Sequence, residues 1–326
     1  MAGPGKVGCL ATILSFVVLV VLTVFISWWA HKAEKNQALR TILFVLTVAI
    51  SVILLLIGIT STVINLTGSR GSISLTSGLL IALSAAIGLP LISPVRLLLA
   101  RVMPFDPHST ADMIGLSVLL ATAVFVGGTS LFASNDIEIS SVSVLELVSQ
   151  GVALVLIAFF GIGFLFERDF RGSLKRLGIQ AIEPRDVWIA LGVVIILFAV
   201  TILGGVLTKV LQPGLEDQIQ NNLGTMTQNL SSFSGALMLG ISAGLGEEIL
   251  FRGAIQPRYG LVFTSIVFAL LHVQYGFSFT ILSIFAVSLI LGYLRQRINT
   301  SASIISHIVY DVIAVLLSVA GGGGGS

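Results

Sequence analysis

Charge is scarce in this sequence. Only 10% of its 326 residues are Asp, Glu, Lys or Arg, whereas soluble proteins contain about 25%. The 17 basic and 15 acidic residues are too few to cover a globular protein of this size with groups that water solvates. This shortage excludes a soluble multidomain enzyme, a nucleic-acid-binding protein and a disordered chain.

Cysteine is nearly absent as well. Cys9 is the only one, which excludes an intrachain disulfide and a cysteine-rich metal site. We interpret Cys9 as a passive member of an apolar segment, with a lipid-modified thiol near the membrane surface as the alternative. The C-terminal stretch 321–326 contains only Gly and Ser. We interpret it as an appended linker outside the fold.

Apolar residues, in contrast, make up 56% of the sequence. They form runs close to the ~20 residues that a membrane-spanning helix needs, and in hydrocarbon a helix satisfies its own backbone polar groups. The sequence therefore predicts an all-α, polytopic integral membrane protein with about ten transmembrane helices, within a range of eight to ten. The predicted spans are 9–30, 40–66, 75–100, 112–132, 147–166, 187–208, 234–255, 261–274, 277–295 and 301–319. The run 261–274 is short and predicts a half-helix or one arm of a bent pair.

Basic residues are concentrated in alternate connections between these runs. The most basic connection is 167–186, whereas 133–146 has no Lys or Arg. By the positive-inside rule, this alternation predicts ten spans with both termini outside and the basic loops in the cytoplasm. We expect a bacterial inner membrane, with the lipid bilayer as the surroundings and no nucleic-acid partner.

The basic connection also predicts a boundary between two regions. Residues 1–166 are expected to form an N-terminal transmembrane extension, which has no ionisable residue well inside its apolar runs. Residues 167–320 are expected to form a C-terminal core. Within this core, the polar segment 209–232 predicts a short external amphipathic helix or a loop that faces a substrate.

The C-terminal runs contain ionisable residues. After position 217 the acidic residues are Glu247, Glu248 and Asp311, and all three fall within apolar runs, as do His272 and His307. A charge at the centre of a membrane helix costs about 2.5–3.5 kcal/mol, so such residues usually face a polar interior and are functional.

Spacing along the helices suggests which of these side chains meet. Glu248 and Arg252 are four residues apart, so they share a helix face and form a pair, whereas Glu247 points about 100° away. That pair alone is expected to stabilise the helix near its cytoplasmic end, and Glu247 is expected to be functional. Phe268 and His272 are also four residues apart, and a carboxylate and an imidazole on neighbouring helices can together deprotonate a water.

The third motif, His307-Ile-Val-Tyr-Asp311, places two polar side chains on one helical turn. Three interpretations of this pair are open: its members are hydrogen-bond donors to a developing oxyanion, they are metal ligands, or they are a buried pair without a chemical role. Asp311 donates only if it is protonated; otherwise it orients His307, which then donates alone.

In this order, Glu-Glu-x-x-x-Arg, Phe-x-x-x-His and His-x-x-x-Asp, the motifs resemble those of the CAAX-processing prenyl protease type II and bacteriocin-processing (CPBP, or Abi) family of intramembrane proteases. The resemblance covers about 230–320. It implies that Glu247 and His272 activate the attacking water, that His307 and Asp311 stabilise the tetrahedral oxyanion, and that Glu248 and Arg252 support the site. The prenyl protease branch commonly has Asn where this sequence has Asp311.

The resemblance implies a glutamate-dependent enzyme without a cofactor. Zinc is the alternative, since Glu247, His272 and His307 are possible ligands and catalytic zinc takes three protein ligands plus a water. However, the His-Glu-x-x-His helix of many zinc proteases is missing.

We therefore predict an intramembrane endopeptidase that cleaves a membrane-bound peptide or protein, for which a CAAX-type or prenylated tail is the substrate that the resemblance suggests. Its site is expected to open toward the cytoplasm. The alternatives are a non-proteolytic membrane scaffold or regulator, such as a bacteriocin-immunity or signalling partner, and a proton-coupled transporter that uses Glu247 and His272 as a relay.

Overall fold

The computed structural model describes residues 4–68, 74–132, 141–230 and 232–322. Apart from one isolated bridge between Phe164 and Arg168, the regular structure of these ranges is helical. The helices of the first part are α1 (Pro4–Lys35), α2 (Gln37–Thr67), α3 (Leu75–Gly88), α4 (Ser93–Leu99), α5 (Thr110–Phe132) and α6 (Val144–Gly161). Those of the second part are α7 (Phe170–Leu177), α8 (Pro184–Leu211), α9 (Pro213–Thr227), α10 (Phe233–Glu248), α11 (Gln256–Tyr259), α12 (Leu261–Leu270), α13 (Phe279–Arg297) and α14 (Thr300–Gly322).

Eight of the described helical segments are long and apolar enough to cross a membrane, or nine if one bent pair counts as a span. The prediction of an all-α polytopic membrane protein with eight to ten spans is confirmed. The predicted span 261–274 contains only the ten-residue helix α12, in agreement with a half-helix. Of the linker predicted over 321–326, Gly321 and Gly322 continue α14. Residues 323–326, Arg70 and the side chain of Cys9 lie outside what the structure describes.

The bent pair replaces the single straight span predicted over 75–100. The segments Leu75–Leu91 and Ser93–Leu99 meet at an angle of 83°. Pro90 and Pro94 flank the break at Ile92. Because proline lacks a backbone N–H and its ring clashes with the preceding turn, this pair of residues stops one helix and starts the next.

Several basic segments meet at one end of the helix bundle, which we call the basic end. Lys35, at the end of α1, lies 3.0 Å from Glu167, which follows α6. The Arg258 guanidinium on α11 lies 2.8 Å from the carboxylate of Asp112 on α5. Arg176 on α7 donates to the carbonyl oxygen of Gly253 at 3.1 Å.

The opposite end of the bundle is covered by the polar segment after α8. This segment forms α9, so of the two predicted alternatives the structure shows a helix. Gln212, between α8 and α9, donates to the carbonyl oxygen of Phe277, and Thr208 and Thr280 hydroxyls lie 3.0 Å apart. These contacts hold α9 beside the turn that connects α12 and α13.

Glycines allow α10 to approach its neighbours closely, as small residues do in membrane helix pairs. A Cβ placed on Gly246 would lie 3.1 Å from the Cα of Gly151 on α6. A Cβ placed on Gly240 would lie 2.8 Å from the backbone oxygen of Ile308 on α14. Helix α10, which ends at Glu248, is therefore packed between α6 and α14.

The helix of residues 233–259 does not keep α-helical geometry throughout. Residues Ile249–Ile255 form a π-helical turn between α10 and α11, and Arg252 lies within it, fully buried. π-helical turns inside α-helices are rare and frequently occur at functional sites. The turn separates the two glutamates from the basic end.

Candidate active site

The structure brings all seven predicted site residues together inside the C-terminal region. Glu247, Glu248 and Arg252 come from α10 and the π-helical turn, Phe268 and His272 from α12 and the residues that follow it, and His307 and Asp311 from α14. Contacts join them into two groups, one around Glu248 and one around Glu247.

Glu248 is the centre of the first group and uses both carboxylate oxygens. Its Oε2 accepts a hydrogen bond from Arg252 Nε at 3.1 Å, and its Oε1 lies 2.9 Å from His307 Nδ1. Both Glu248 and Arg252 are fully buried. The predicted pair is confirmed, but it lies in the interior of the bundle, and the contact with His307 was not predicted.

His307 links Glu248 to Asp311. Its second ring nitrogen, Nε2, lies 3.5 Å from Asp311 Oδ2, one helical turn further along α14. A carboxylate only accepts when ionised, and a neutral imidazole has one N–H. His307 therefore donates to both carboxylates at once only as the doubly protonated imidazolium.

Glu247 and His272 form the second group. Glu247 Oε2 lies 3.9 Å from His272 Nε2, which is beyond hydrogen-bond distance. His272 Nδ1 lies 2.7 Å from the carbonyl oxygen of Phe268. Because a carbonyl can only accept, Nδ1 donates there, and Nε2 of the neutral ring is left as an acceptor that faces Glu247.

The second group contains an unpaired acceptor. Glu247 Oε2 is buried and has no hydrogen-bond partner among the residues that the structure describes. A buried polar atom without a partner is costly and calls for an explanation. Two acceptors 3.9 Å apart are both satisfied by one molecule that donates two hydrogen bonds, and water is such a molecule.

Phe268 connects the two groups through its ring. The Arg252 guanidinium carbon lies 5.0 Å from the centroid of the Phe268 ring, a cation–π distance. The rings of Phe268 and His272 also have centroids 4.4 Å apart. Phe268 therefore contacts both side chains.

Accessibility separates the site into a supporting part and an open part. The side chains of Glu247, His272, His307 and Asp311 keep 17%, 20%, 10% and 15% exposure, whereas those of Glu248 and Arg252 have none. The first four side chains thus keep some exposed surface, whereas the last two are sealed inside the bundle. Sequence spacing alone does not separate Glu247 from Glu248 in this way.

Tyr275 also belongs to this neighbourhood and was missed by sequence reasoning. It lies in the short 3₁₀ turn Val273–Tyr275, and its ring centroid is 6.4 Å from that of His272. Burial raises the pKa of Tyr275, and the nearby charges of Asp311 and Glu247 contribute. Its position three residues after His272, in a turn too short to show a periodic pattern, gave no signal.

The residues of the proposed zinc alternative do not form a recognisable metal site. In the described ranges, no group of three or more His, Cys, Asp or Glu side chains is arranged to hold a metal ion. Glu247, His272 and His307 instead divide between the two groups above. The absence of a cofactor stays a prediction.

Comparisons with known proteins agree with the resemblance in the motifs. Residues 229–313 match the family described as "Type II CAAX prenyl endopeptidase Rce1-like", a segment that includes all seven site residues. A relative from Bacillus subtilis (strain 168), "Uncharacterized protein YpbD", is 26% identical over 164 residues, which are 49% of this chain and 82% of the relative. No solved structure matches. The predicted family resemblance is confirmed for the C-terminal segment.

Proposed function

We propose that this protein is an intramembrane endopeptidase that uses Glu247 and His272 to activate a water. The family that matches residues 229–313 is one of prenyl endopeptidases, which supports a membrane peptidase in general terms. The observation that carries the finer proposal is the facing pair of acceptors, Glu247 Oε2 and His272 Nε2, at 3.9 Å.

In the proposed reaction, a water donates hydrogen bonds to both atoms. Glu247 takes a proton from it, and the oxygen attacks the carbonyl carbon of the scissile peptide bond. The carbon–nitrogen bond then breaks, and the proton held by Glu247 passes to the leaving nitrogen. General-base catalysis of this kind contributes about 10²–10⁴-fold to a rate.

His307 and Asp311 are proposed to stabilise the tetrahedral oxyanion. The His307 Nε2 atom faces Asp311, and this 3.5 Å contact is long for a hydrogen bond. An oxyanion within hydrogen-bond distance of His307 Nε2 is then a stronger acceptor than Asp311. In this proposal the water and the oxyanion donor serve the same reacting carbon.

Glu248, Arg252 and Phe268 act as positioning residues in this proposal. Glu248 orients His307 through Nδ1, Arg252 compensates the charge of Glu248, and Phe268 holds His272. None of these three needs to touch the substrate.

The substrate proposed is a membrane-associated peptide or protein, of the CAAX-type or prenylated class that the matched family's description suggests. His307 lies seven residues into α14, about 10 Å from the basic end at 1.5 Å per residue. That depth lies within the membrane core. By the positive-inside rule, the basic end faces the cytoplasm of a bacterial inner membrane, and the site is reached from that side.

The experiment is a comparison of protein termini in membranes that contain the wild-type protein or Glu247→Ala. We expect new termini, produced by cleavage, that appear with the wild type and disappear with Glu247→Ala at equal amounts of inserted protein. Glu183→Gln is the matched control, because Glu183 is an exposed glutamate at the start of α8.

Identical termini with the wild type and Glu247→Ala would contradict the proposal. If the cellular phenotype then disappeared only on deletion of the protein, the result would favour the non-proteolytic scaffold. Proton-driven flux in liposomes that depends on Glu247 and His272 would favour the transporter.

A further inference from the structure

A concavity at the basic end lies outside the candidate active site. It has a volume of about 460 Å³ and is lined by Gly172, Lys175, Arg176, Pro257 and Arg295. These residues come from three separate elements, α7, α11 and α13. The volume falls within the ~300–1,000 Å³ range of small-molecule sites.

The three cations of this concavity have no acidic partner. In the described part of the chain, Lys175, Arg176 and Arg295 form no ion pair. The acids close by are already engaged: Asp169 caps α7 by accepting from the Gly172 amide at 2.8 Å, and Asp112 pairs with Arg258. The concavity therefore has an uncompensated positive charge.

Arg176 is the inner member of this group. One of its nitrogens donates to the carbonyl oxygen of Gly253, which fixes the guanidinium where it lines the concavity. Burial, together with the positive charges of Arg258, Arg168 and Arg295, lowers the pKa of Arg176 to about 10. The guanidinium thus remains charged at neutral pH, and an anion would relieve the repulsion around it.

We propose that this concavity binds a phosphate group, and that the phosphate belongs to the headgroup of an anionic lipid. Arginine and lysine together recognise phosphate, arginine through its planar fork and lysine as a point charge. The concavity lies at the end of the membrane-spanning helices, where headgroups are found, and cationic pockets of this kind between helices bind anionic headgroups. The site is independent of the proposed peptidase activity.

The test measures thermal unfolding of the full-length protein in an uncharged detergent, followed by tryptophan fluorescence. Phosphatidylglycerol is titrated against phosphatidylcholine, and inorganic phosphate is titrated against chloride at equal ionic strength. The variant is Lys175→Gln/Arg295→Gln. The matched control is Arg171→Gln/Arg185→Gln, which removes two exposed charges that do not line the concavity.

We expect phosphatidylglycerol, but not phosphatidylcholine, to raise the unfolding temperature of the wild type and of the control. The lipid concentration for half the effect should rise about tenfold or more in the Lys175→Gln/Arg295→Gln variant, because charge-assisted hydrogen bonds are lost. A shift with inorganic phosphate as well would assign the same site to free phosphate in addition to lipid.

The proposal would be overturned if phosphatidylglycerol raised the unfolding temperature of the variant and of the control at the same concentrations. It would also be overturned if phosphatidylglycerol did not change the unfolding temperature of the wild type. If the double variant does not fold, the single change Lys175→Gln serves, because the Lys175 side chain is exposed. It should still weaken the phosphatidylglycerol effect relative to Arg171→Gln.

Discussion

The N-terminal and C-terminal regions differ in where their buried ionisable residues lie and in what those residues contact. Buried ionisable groups of the N-terminal region, such as His31 and Asp112, lie near helix ends, with His31 bonded to the backbone of its own helix and Asp112 to Arg258. The C-terminal region holds two glutamates, two histidines, an arginine and an aspartate in two interior groups, which the Phe268 ring connects. The comparison teaches that ionisable residues near helix ends hold elements together, whereas the residues proposed to react lie in the interior of the bundle.

The largest effect on stability is expected inside the C-terminal group. Glu248→Gln leaves the fully buried Arg252 without a carboxylate, and breaking a buried pair in this way costs about 3–5 kcal/mol. Thermal unfolding in detergent measures this loss. The double change Glu248→Gln/Arg252→Met should recover much of the stability, while peptide cleavage stays low because His307 has lost the carboxylate that accepts from its Nδ1.

If Glu248→Gln unfolds at the wild-type temperature, Glu248 and Arg252 do not form the buried pair described. If the double variant cleaves at the wild-type rate, Glu248 has no positioning function for His307.

A smaller effect is expected at the joint between the two regions. Asp112→Asn removes the carboxylate that Arg258 approaches to 2.8 Å, and a hydrogen bond to a charged group contributes about 1.5–3 kcal/mol. The unfolding temperature should fall, whereas cleavage per folded molecule should not change. A large loss of cleavage in the folded fraction would mean that N-terminal charges also take part in the reaction.

Packing of α6 on α10 provides a third comparison, because here the N-terminal region touches the helix that holds Glu247. A Cβ on Gly151 would lie 2.8 Å from the backbone oxygen of Ser242, whereas a Cβ on Gly161 would meet nothing within 4 Å. Overpacking costs about 1–3 kcal/mol. Gly151→Ala should lower stability and slow cleavage, and Gly161→Ala is the control on the same helix. Equal behaviour of the two variants would contradict the close packing.

The smallest effect is expected for the exposed pair Lys35–Glu167 at the basic end. A hydrogen bond from Lys35 lowers the pKa of the Glu167 carboxyl, so the contribution of the pair is present at neutral pH and lost as the pH falls through that lowered pKa. Exposed pairs contribute about 0–1 kcal/mol. Lys35→Gln should therefore shift the unfolding temperature only slightly at pH 7. At a pH below the pKa of Glu167, Lys35→Gln should unfold at the same temperature as the control Lys32→Gln. A difference in unfolding temperature that persisted at that pH would show that the effect of Lys35 does not come from its pair with Glu167.

Hydropathy predicts most of the fold because, in hydrocarbon, a helix satisfies its backbone polar groups within a single segment. It does not predict where an apolar run bends. The 83° break at Ile92 lies inside a mostly apolar run, and Pro90 and Pro94 are the residues that indicate it. Hydropathy likewise does not show that the turn after α12 is held near α9, a tertiary contact made by the hydrogen bond from Gln212 to Phe277.

Helical spacing predicts the contacts within each site motif, and sequence order does not predict those between motifs. Glu248 with Arg252 and His307 with Asp311 are each one turn apart and meet as expected. The contact of Glu248 with His307 spans 59 positions and depends on the glycine-mediated approach of α10 to α14. For the same reason, the sequence does not show that Glu248 is buried while Glu247 is accessible.

The central claim is that Glu247 and His272 act as one unit on a water. The most direct test measures single-turnover cleavage of a substrate from the membrane comparison by wild type, Glu247→Gln, His272→Ala and the double variant. Each single change should reduce the rate about 10²-fold or more, and the double variant should be no slower than the slower single one, because groups that act together are not additive. Effects that multiply, or a wild-type rate in either single variant, would contradict the claim.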